Sequence, residues 1–229
     1  MDDQELKRKF RGALLGVAVG DALGAPFGGM PSVSQILLAK RTAPASLQNE
    51  HSLWRYTDDT HMTLGVAESL LAKQSFDGAH MAETFARNYE EEPWRGYGAG
   101  PPQVFSLLRK GLPWNQASRM LFAGAGSYGN GAAMRVTPIA LVYYQSADEM
   151  IEVARQSARI THAHEMGVEG AVLTSGGYCI TAGASLGCSD QRHRVCRTAG
   201  CSCLGTSLRP AVEARARTTS RRSADGCGI

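Results

Sequence analysis

Two adjacent carboxylates, Asp58 and Asp59, lie in the stretch YTDDT at residues 56–60, directly before an apolar helical run. Their charges repel each other, and solvation at a surface gives no reason to pair them. Carboxylate and hydroxyl oxygens that cluster at the start of a helix suit a hard cation such as Mg²⁺. A simpler interpretation is also open, because Thr57 fits an N-cap and both aspartates fit the first helical turn.

Two glycine-rich loops are candidates for ligand binding: GYGAG at residues 96–100 and GAGSYGNG at residues 124–131. Glycine lets the backbone approach a ligand closely, and successive N–H groups can cradle a phosphate. Within the second loop, Ser127 and Asn130 add hydrogen-bonding side chains, while Tyr128 and the nearby Phe122 could stack on a flat base. The alternative is that both loops are ordinary turns.

A histidine, His162, follows a helical pattern in the stretch ITHAH and could hydrogen-bond a ligand. A histidine at a helix C-terminus also serves as a partner of the helix dipole. His164 lies two residues further on, so the sequence leaves the assignment open.

The elements that would position these residues are helices. Helical spacing of apolar residues marks the segments 6–19, 33–41, 61–73 and 78–92, and Pro101 and Pro102 suit the start of another helix. In the segment 61–73, two rows are expected to face the core: Met62, Val66 and Leu70, and beside them Thr63, Ala67 and Leu71. Ser146 and Glu149 form a capping-box pattern before a further helix with Met150, Val153, Ala154 and Ala158 on one face. Sustained period-2 alternation is absent from the sequence, so the expected fold class is all-α.

Length and composition fit one soluble domain. The chain has 229 residues, of which 43% are hydrophobic and 20% charged. The N-terminal MDDQELKRKF lacks the apolar core of a secretory signal and is too acidic for a typical mitochondrial transit peptide. No run of about 18 apolar residues could span a bilayer. We expect a cytoplasmic or nuclear protein without a membrane partner, with mitochondria as the remaining alternative.

The composition changes abruptly near residue 178, so we divide the chain into a helical domain at 1–177 and a tail at 178–229. Residues 1–178 hold 16 Lys and Arg against 18 Asp and Glu, whereas residues 179–229 hold 8 Arg against 3 acidic residues. All six cysteines lie within residues 179–229, and every Phe, Trp, Tyr and Met precedes residue 179. Without aromatic residues, the segment 179–229 cannot bury enough apolar surface to offset its ordering entropy, which predicts disorder.

Three interpretations of the tail remain. A zinc module is disfavoured because His193, Cys196, Cys201 and Cys203 lack the usual C-x-x-C spacing. A disulfide-stapled secreted domain is disfavoured because no signal peptide is seen. We favour a tail that is not native to this fold, as a shifted reading frame or an unspliced intron would produce.

Five motifs in one order resemble the ADP-ribosylglycohydrolase family. They are GALLG with GDALG at residues 12–24, YTDDT at 56–60, RGYGAG at 95–100, GSYGNGAAMRV at 126–136 and ITHA at 160–163. Each motif alone is weak, but the five together are specific. They are most similar to the branch that releases ADP-ribose from serine and degrades poly(ADP-ribose), and the likeness covers residues 8–173, about the first half of a family-length chain.

The resemblance implies an Mg²⁺-dependent hydrolase that cleaves the glycosidic bond between ADP-ribose and protein side chains or within poly(ADP-ribose). It implies that Thr57, Asp58 and Asp59 bind two Mg²⁺ ions, with both carboxylates catalytic in stabilising an oxocarbenium-like transition state. It also implies substrate contacts from Gly96, Phe122, Gly126, Ser127, Tyr128, Gly129, Asn130 and His162. The implied partners are ADP-ribose, poly(ADP-ribose) and ADP-ribosylated proteins, with no nucleic acid bound directly, and we expect a monomer.

Two departures from the family pattern bear on activity. Gly28 stands where family members carry a catalytic glutamate, and glycine can neither transfer a proton nor bind a metal. The late Gly-Asp-x-Asp-Thr motif, which supplies the remaining metal ligands in the family, is missing from the sequence. The alternative function is therefore a catalytically defective fragment that at most binds ADP-ribose.

Overall fold

The structure is a computed structural model that describes residues 2–28 and 55–181. It confirms the all-α class, and the described residues contain no β-strand. The described residues form eight α-helices, in chain order: α1 (Asp3–Gly24), α2 (Asp58–Lys73), α3 (Gly78–Glu91), α4 (Gly100–Arg109), α5 (Trp114–Ala117), α6 (Thr137–Val142), α7 (Ala147–Arg159) and α8 (Glu165–Thr181). Short 3₁₀ turns lie at Ala25–Phe27, Ser118–Met120, Phe122–Gly124 and Asn130–Ala132. In the described part of the chain, no helix combines the length and hydropathy needed to cross a bilayer.

Helix α1 is longer than the segment 6–19 that apolar spacing predicts. It begins earlier because the Asp2 side chain accepts a hydrogen bond of 2.7 Å from the Glu5 amide and so caps the first turn. The helix carries no buried residue. Its inner face is half-buried, with Phe10 packed edge-on against Tyr144 at a ring-centroid distance of 5.5 Å.

Helix α2 begins at Asp58 because Thr57 is its N-cap, as predicted: the Thr57 hydroxyl accepts a hydrogen bond of 3.4 Å from the Asp59 amide. The row of Met62, Val66 and Leu70 is buried, as predicted. The neighbouring row was predicted incorrectly at its end, because Leu71 is 70% exposed. Gly65 and Ser69 are buried instead, since the ring of Phe85 on α3 packs closely over Gly65.

The core lies between α2, α3, α4, α6, α7 and α8. Helix α2 packs against α3, and α8 packs against both α7 and α6. The largest fully buried apolar side chains of the core are Phe85, Phe105, Met62, Met81, Ile139, Met150 and Ile160. The predicted apolar face of α7, formed by Met150, Val153, Ala154 and Ala158, belongs to this core. Helix α4 starts with Pro101 in its first turn, as predicted.

The predicted capping box at α7 is not formed. Ser146 occupies the N-cap position, but its side chain makes no capping hydrogen bond. In a capping box the Glu149 side chain would accept a hydrogen bond from the Ser146 amide. That amide donates to the Tyr143 carbonyl at 3.0 Å, which ties α7 to the preceding turn.

Two further predictions fall wholly or mostly outside the described residues: the helix at 33–41 and the tail at 178–229. The described part reaches only the first residues of the tail, where α8 continues to Thr181. The division of the chain near residue 178 therefore stays a prediction.

Candidate functional site

A cleft of about 340 Å³ opens between the start of α2, the loop before α4 and the second glycine loop. Three segments that are distant in the sequence meet there: α2 and α4 both pack against α3, and the 3₁₀ turn at Asn130–Ala132 packs against α8. Eight of the predicted site residues line it: Asp58, Asp59, Gly96, Phe122, Ser127, Gly129, Asn130 and His162.

Four residues singled out from the sequence do not line this cleft. Thr57 lies just behind it as the N-cap of α2. Gly126 has a φ of +75°, and a Cβ there would lie 2.6 Å from the His164 amide, so its role in the structure is to allow a tight turn. Tyr128 is 73% exposed and packs against His164 at a centroid distance of 5.7 Å. Gly28 ends the 3₁₀ turn after α1 and is exposed.

The carboxylates of Asp58 and Asp59 at the start of α2 are partly buried, and neighbouring negative charges repel them. Burial raises the pKa of Asp58 to about 7, with the neighbouring charges of Asp59 and Asp21 adding to the shift. The pKa of Asp59 is raised as well, again by burial first and by Asp21 second. Near neutral pH, Asp58 is therefore poised between its protonated and ionised forms, and a bound cation would favour the ionised one.

Asp21, from the GDALG motif on α1, was not singled out as a site residue from the sequence. Its carboxylate accepts hydrogen bonds from the Thr57 amide and hydroxyl at 2.8 and 2.6 Å, and from the Thr60 amide and hydroxyl at 3.1 and 2.6 Å. The start of α2 is thus held by a side chain from another helix. The one available signal was an aspartate within the otherwise apolar, glycine-rich second half of α1, residues 12–24.

The carboxylate pair fits the chemistry of a hard cation but does not form a full set of ligands. Two adjacent, partly desolvated carboxylates are the oxygen donors that Mg²⁺ prefers. The Asp21 carboxylate accepts four hydrogen bonds from Thr57 and Thr60, so its observed role is to hold the start of α2. In residues 2–28 and 55–181, no group of three or more His, Cys, Asp or Glu side chains is arranged to hold a metal ion.

The part of the cleft lined by the second glycine loop is rich in backbone and strained. Phe122 and Ala123 both adopt left-handed backbone conformations, with φ of 52° and 55°, which non-glycine residues rarely adopt. This turn presents the Phe122 side chain to the cleft with 57% of its surface exposed. A Cβ at Gly131 would lie 2.6 Å from Cε1 of His162, so only glycine lets the loop approach the histidine ring.

His162 lies at the base of the cleft with 3% of its surface exposed. Burial first, and the charge of Arg135 second, lower its pKa to about 3, so its ring is neutral at physiological pH. Its Nδ1 is hydrogen-bonded to the Thr161 hydroxyl at 2.8 Å. Sequence reasoning also missed Arg135, which is fully buried behind this pair; its position between apolar residues in AAMRV was the available signal.

Comparison with known proteins decides the relationship. The sequence model of the ADP-ribosylglycohydrolase family matches residues 2–222. The chain belongs to the ADP-ribosylglycohydrolase family. The resemblance in the five motifs is therefore confirmed, and the matched range runs past the composition boundary near residue 178.

Curated ADP-ribosylhydrolases match 72% of the chain. ADP-ribosylhydrolase ARH3 of Mus musculus is 42% identical over 175 residues, covering 72% of this chain and 46% of the mouse protein. The Homo sapiens protein of the same name is 41% identical, covering 72% and 47%. The ADP-ribosyl-[dinitrogen reductase] glycohydrolase of Rhodospirillum rubrum is 32% identical, covering 72% and 54%.

A solved structure of an ADP-ribosylglycohydrolase-related protein complex shares the fold, with a TM-score of 0.55 and 31% identity. The match covers 75% of this chain and 55% of that one. The chain therefore spans about half the length of the ADP-ribosylglycohydrolases that it matches.

Proposed function

We propose that the cleft binds the ADP-ribose unit of ADP-ribosylated proteins or of poly(ADP-ribose), and that it belongs to a hydrolase of the glycosidic bond to that unit. The observation that carries the proposal is the lining of the cleft. An acidic pair and a glycine loop with a buried histidine line the same cleft, which matches a ligand that has a ribose to be cleaved and a pyrophosphate to be held.

The glycine-loop end suits the phosphates and the adenine. Gly129, Gly131 and their neighbours line the cleft with backbone, and Ser127 and Asn130 add short polar side chains. Such a lining offers hydrogen-bond donors to phosphate oxygens without adding bulk. The exposed ring of Phe122 supplies a flat apolar surface on which a base could stack.

The acidic end suits the scissile ribose. Cleavage at an anomeric carbon passes through an oxocarbenium-like transition state, and Asp58 and Asp59 would stabilise its positive charge when ionised. Thr57, Asp58 and Asp59 would also hold part of an Mg²⁺ site, and Mg²⁺ would supply Lewis-acid polarisation and orientation of a water. Asp21 supports this end indirectly, because it holds the Thr57 backbone and hydroxyl in place.

A second function, ADP-ribose binding without turnover, is favoured by Gly28. This residue carries no group that could transfer a proton, a contribution worth roughly 10²–10⁴-fold in rate. The incomplete ligand set around Asp58 and Asp59 points the same way. We therefore assign hydrolysis to the family-length protein and expect the 229-residue chain to bind more readily than it cleaves. We further propose that it acts as a monomer in the cytoplasm or nucleus.

Release of free ADP-ribose, measured with Mg²⁺ and with EDTA, separates the two functions. Four proteins are compared: the parent chain, Gly28→Glu, a chain extended by a Gly-Asp-x-Asp-Thr segment, and one with both changes. We expect EDTA-sensitive release only from the last, because acid/base group and metal ligands act as one unit. Comparable release by the unmodified parent would overturn the assignment of turnover to the longer protein.

Binding is tested separately by calorimetry with Mg²⁺ and with ADP-ribose. The double variant Asp58→Ala/Asp59→Ala should lose Mg²⁺ binding while its helical circular dichroism persists. The matched control is Asp2→Ala/Asp3→Ala, which removes another adjacent acidic pair from a helix start outside the cleft. Unchanged Mg²⁺ binding in the first double variant would exclude the metal role of YTDDT.

A further inference from the structure

Arg135 is a buried cation without an acidic partner. It is fully buried, and within the described residues no carboxylate contacts its guanidinium. Nη1 donates to the Thr161 hydroxyl at 2.7 Å, Nη2 donates to the Ser157 carbonyl at 2.9 Å, and the guanidinium lies 4.7 Å from the ring centre of Phe85. Its Nε has no partner among the described residues. Burying an unpaired cation is unfavourable, so stability alone does not explain its presence.

The bond from Arg135 fixes the direction of the next hydrogen bond. A guanidinium can only donate, so Thr161 Oγ1 accepts from it. Thr161 is itself buried, and in the described part of the chain its Oγ1 has one other hydrogen-bond partner, Nδ1 of His162 at 2.8 Å. If Nδ1 carried a proton, it would also donate to Oγ1, and the hydroxyl proton would have no acceptor. The satisfied arrangement is therefore Arg135 to Thr161 to His162, each donating to the next.

The other nitrogen of the ring faces the glycine loop. Nε2 of His162 lies 3.0 Å from the position that a Cβ would take at Gly131 and 3.6 Å from that at Gly129, and the ring lines the cleft. A neutral imidazole carries one proton, so an accepting Nδ1 places that proton on Nε2.

We infer that Arg135 and Thr161 are positioning residues that hold His162 in its Nε2–H tautomer, so that the cleft presents a neutral hydrogen-bond donor to an acceptor oxygen of the ligand. The acceptor would be a phosphate or ribose oxygen, and this part of the inference rests on the proposed function. The tautomer itself belongs to the ligand-free chain. A neutral donor recognises an oxygen without placing a second positive charge beside that of Arg135.

Nitrogen-15 NMR of the histidine rings in the full 229-residue chain tests the tautomer directly. The protonated and unprotonated ring nitrogens give well-separated signals, and His162→Gln identifies the His162 signals by their loss. We expect the proton on Nε2 in the parent and in Thr161→Ser, which keeps the hydroxyl. Thr161→Val and Arg135→Met should each raise the fraction with the proton on Nδ1. The matched control is Arg155→Met, which removes an arginine of α7 that pairs with Glu169 of α8. This change should leave the tautomer unchanged.

Calorimetry with ADP-ribose supplies the second measurement. Losing one oriented hydrogen bond should weaken binding by about 2- to 10-fold in Thr161→Val, with near-parental affinity in Thr161→Ser. A proton on Nδ1 in the parent overturns the inference, as does an unchanged tautomer in both Thr161→Val and Arg135→Met. Absence of ADP-ribose binding by a parent whose proton is on Nε2 would count against the proposed function and leave the tautomer assignment standing.

Discussion

Helix α1 and the helices from α2 to α8 are held in the structure by different interactions. Helix α1 has 22 residues and none of them is buried, whereas the 16 residues of α2 include eight that are buried. On α1, Leu15, Val19 and Leu23 are 65%, 56% and 48% exposed. The described contacts that hold α1 are its half-buried inner face and the hydrogen bonds of Asp21 to Thr57 and Thr60.

This difference matters because the acidic end of the cleft depends on both regions. The α2–α8 core places Asp58 and Asp59 in the same cleft as the glycine loop, and α1 contributes the Asp21 carboxylate, which accepts hydrogen bonds from Thr57 and Thr60 at the start of α2. One region supplies apolar packing, and the other supplies polar bonds to the same helix start. Substitutions matched between the two regions should separate their contributions.

The largest effect is expected at Phe85, where the ring is 1% exposed and packs on Gly65 and on the Arg135 guanidinium. Phe85→Ala should lower the free energy of unfolding by about 3–5 kcal/mol, because it leaves a cavity in the core. The matched change on α1, Phe10→Ala, removes a half-buried ring and should cost about 1 kcal/mol. Urea denaturation measures both, and equal losses would show that α1 is as firmly packed as the core.

The next largest effect is expected at Asp21, whose hydrogen bonds link α1 to the start of α2. Asp21→Ala removes the acceptor of four hydrogen bonds and should lower the free energy of unfolding by about 2 kcal/mol, since water replaces only part of them. Hydrogen exchange at the Thr57 and Thr60 amides should accelerate at the same time. Asp3→Ala, which removes an exposed carboxylate of α1 paired with Lys7, is the control and should change stability little. Unaltered amide exchange in Asp21→Ala would mean that the cap of α2 does not need α1.

A smaller effect is expected from pH. The folded pKa of Asp58 is raised to about 7, so the folded state binds this proton more tightly than the unfolded state does. Its contribution therefore destabilises the metal-free chain increasingly as pH rises from about 4 to about 7. His162, whose folded pKa is lowered to about 3, acts oppositely, because its contribution to stability is lost as pH falls below about 6.5.

Because Asp58 and His162 change the stability in opposite directions with pH, the test compares the free energy of unfolding of a variant with that of the parent. In EDTA, Asp58→Asn should gain stability relative to the parent as pH rises from about 4 to about 7, while Asp3→Asn on α1 should track the parent. Urea denaturation at a series of pH values measures the difference. A difference curve that does not rise through this window would show that the folded pKa of Asp58 is not raised.

The two regions also differ in what the sequence could predict. The cap at Thr57 and the buried row of Met62, Val66 and Leu70 follow from local spacing, and the structure bears them out. The bond from Asp21 to Thr57 joins residues 36 positions apart, and local patterns contain no information on such a contact.

The same limit applies within the site. The glycine loop and His162 were named as candidates from residue types alone, and the structure places both at the cleft. Arg135 was not named as a candidate, because its role depends on a hydrogen bond to Thr161, 26 positions away, and on burial that only packing creates. The capping box at Ser146 failed for a related reason: a preceding turn engaged the amide that the motif required.

The smallest effect is expected on the outer face of α1, where Leu15, Val19 and Leu23 adjoin glycines around which the described residues leave open space. Val19→Ala should change the free energy of unfolding of the 229-residue chain by less than about 0.5 kcal/mol. The matched change in the core, Val66→Ala, should cost about 2 kcal/mol, because Val66 is 0% exposed.

A contiguous apolar face on a helix is typical of a surface that packs against further polypeptide. In a chimera carrying the rest of a full-length relative, we therefore expect the cost of Val19→Ala to rise toward that of Val66→Ala. If urea denaturation gives the same small cost in both chains, this face of α1 lies in solvent in the longer protein as well, and the contrast between α1 and the core is a property of the family.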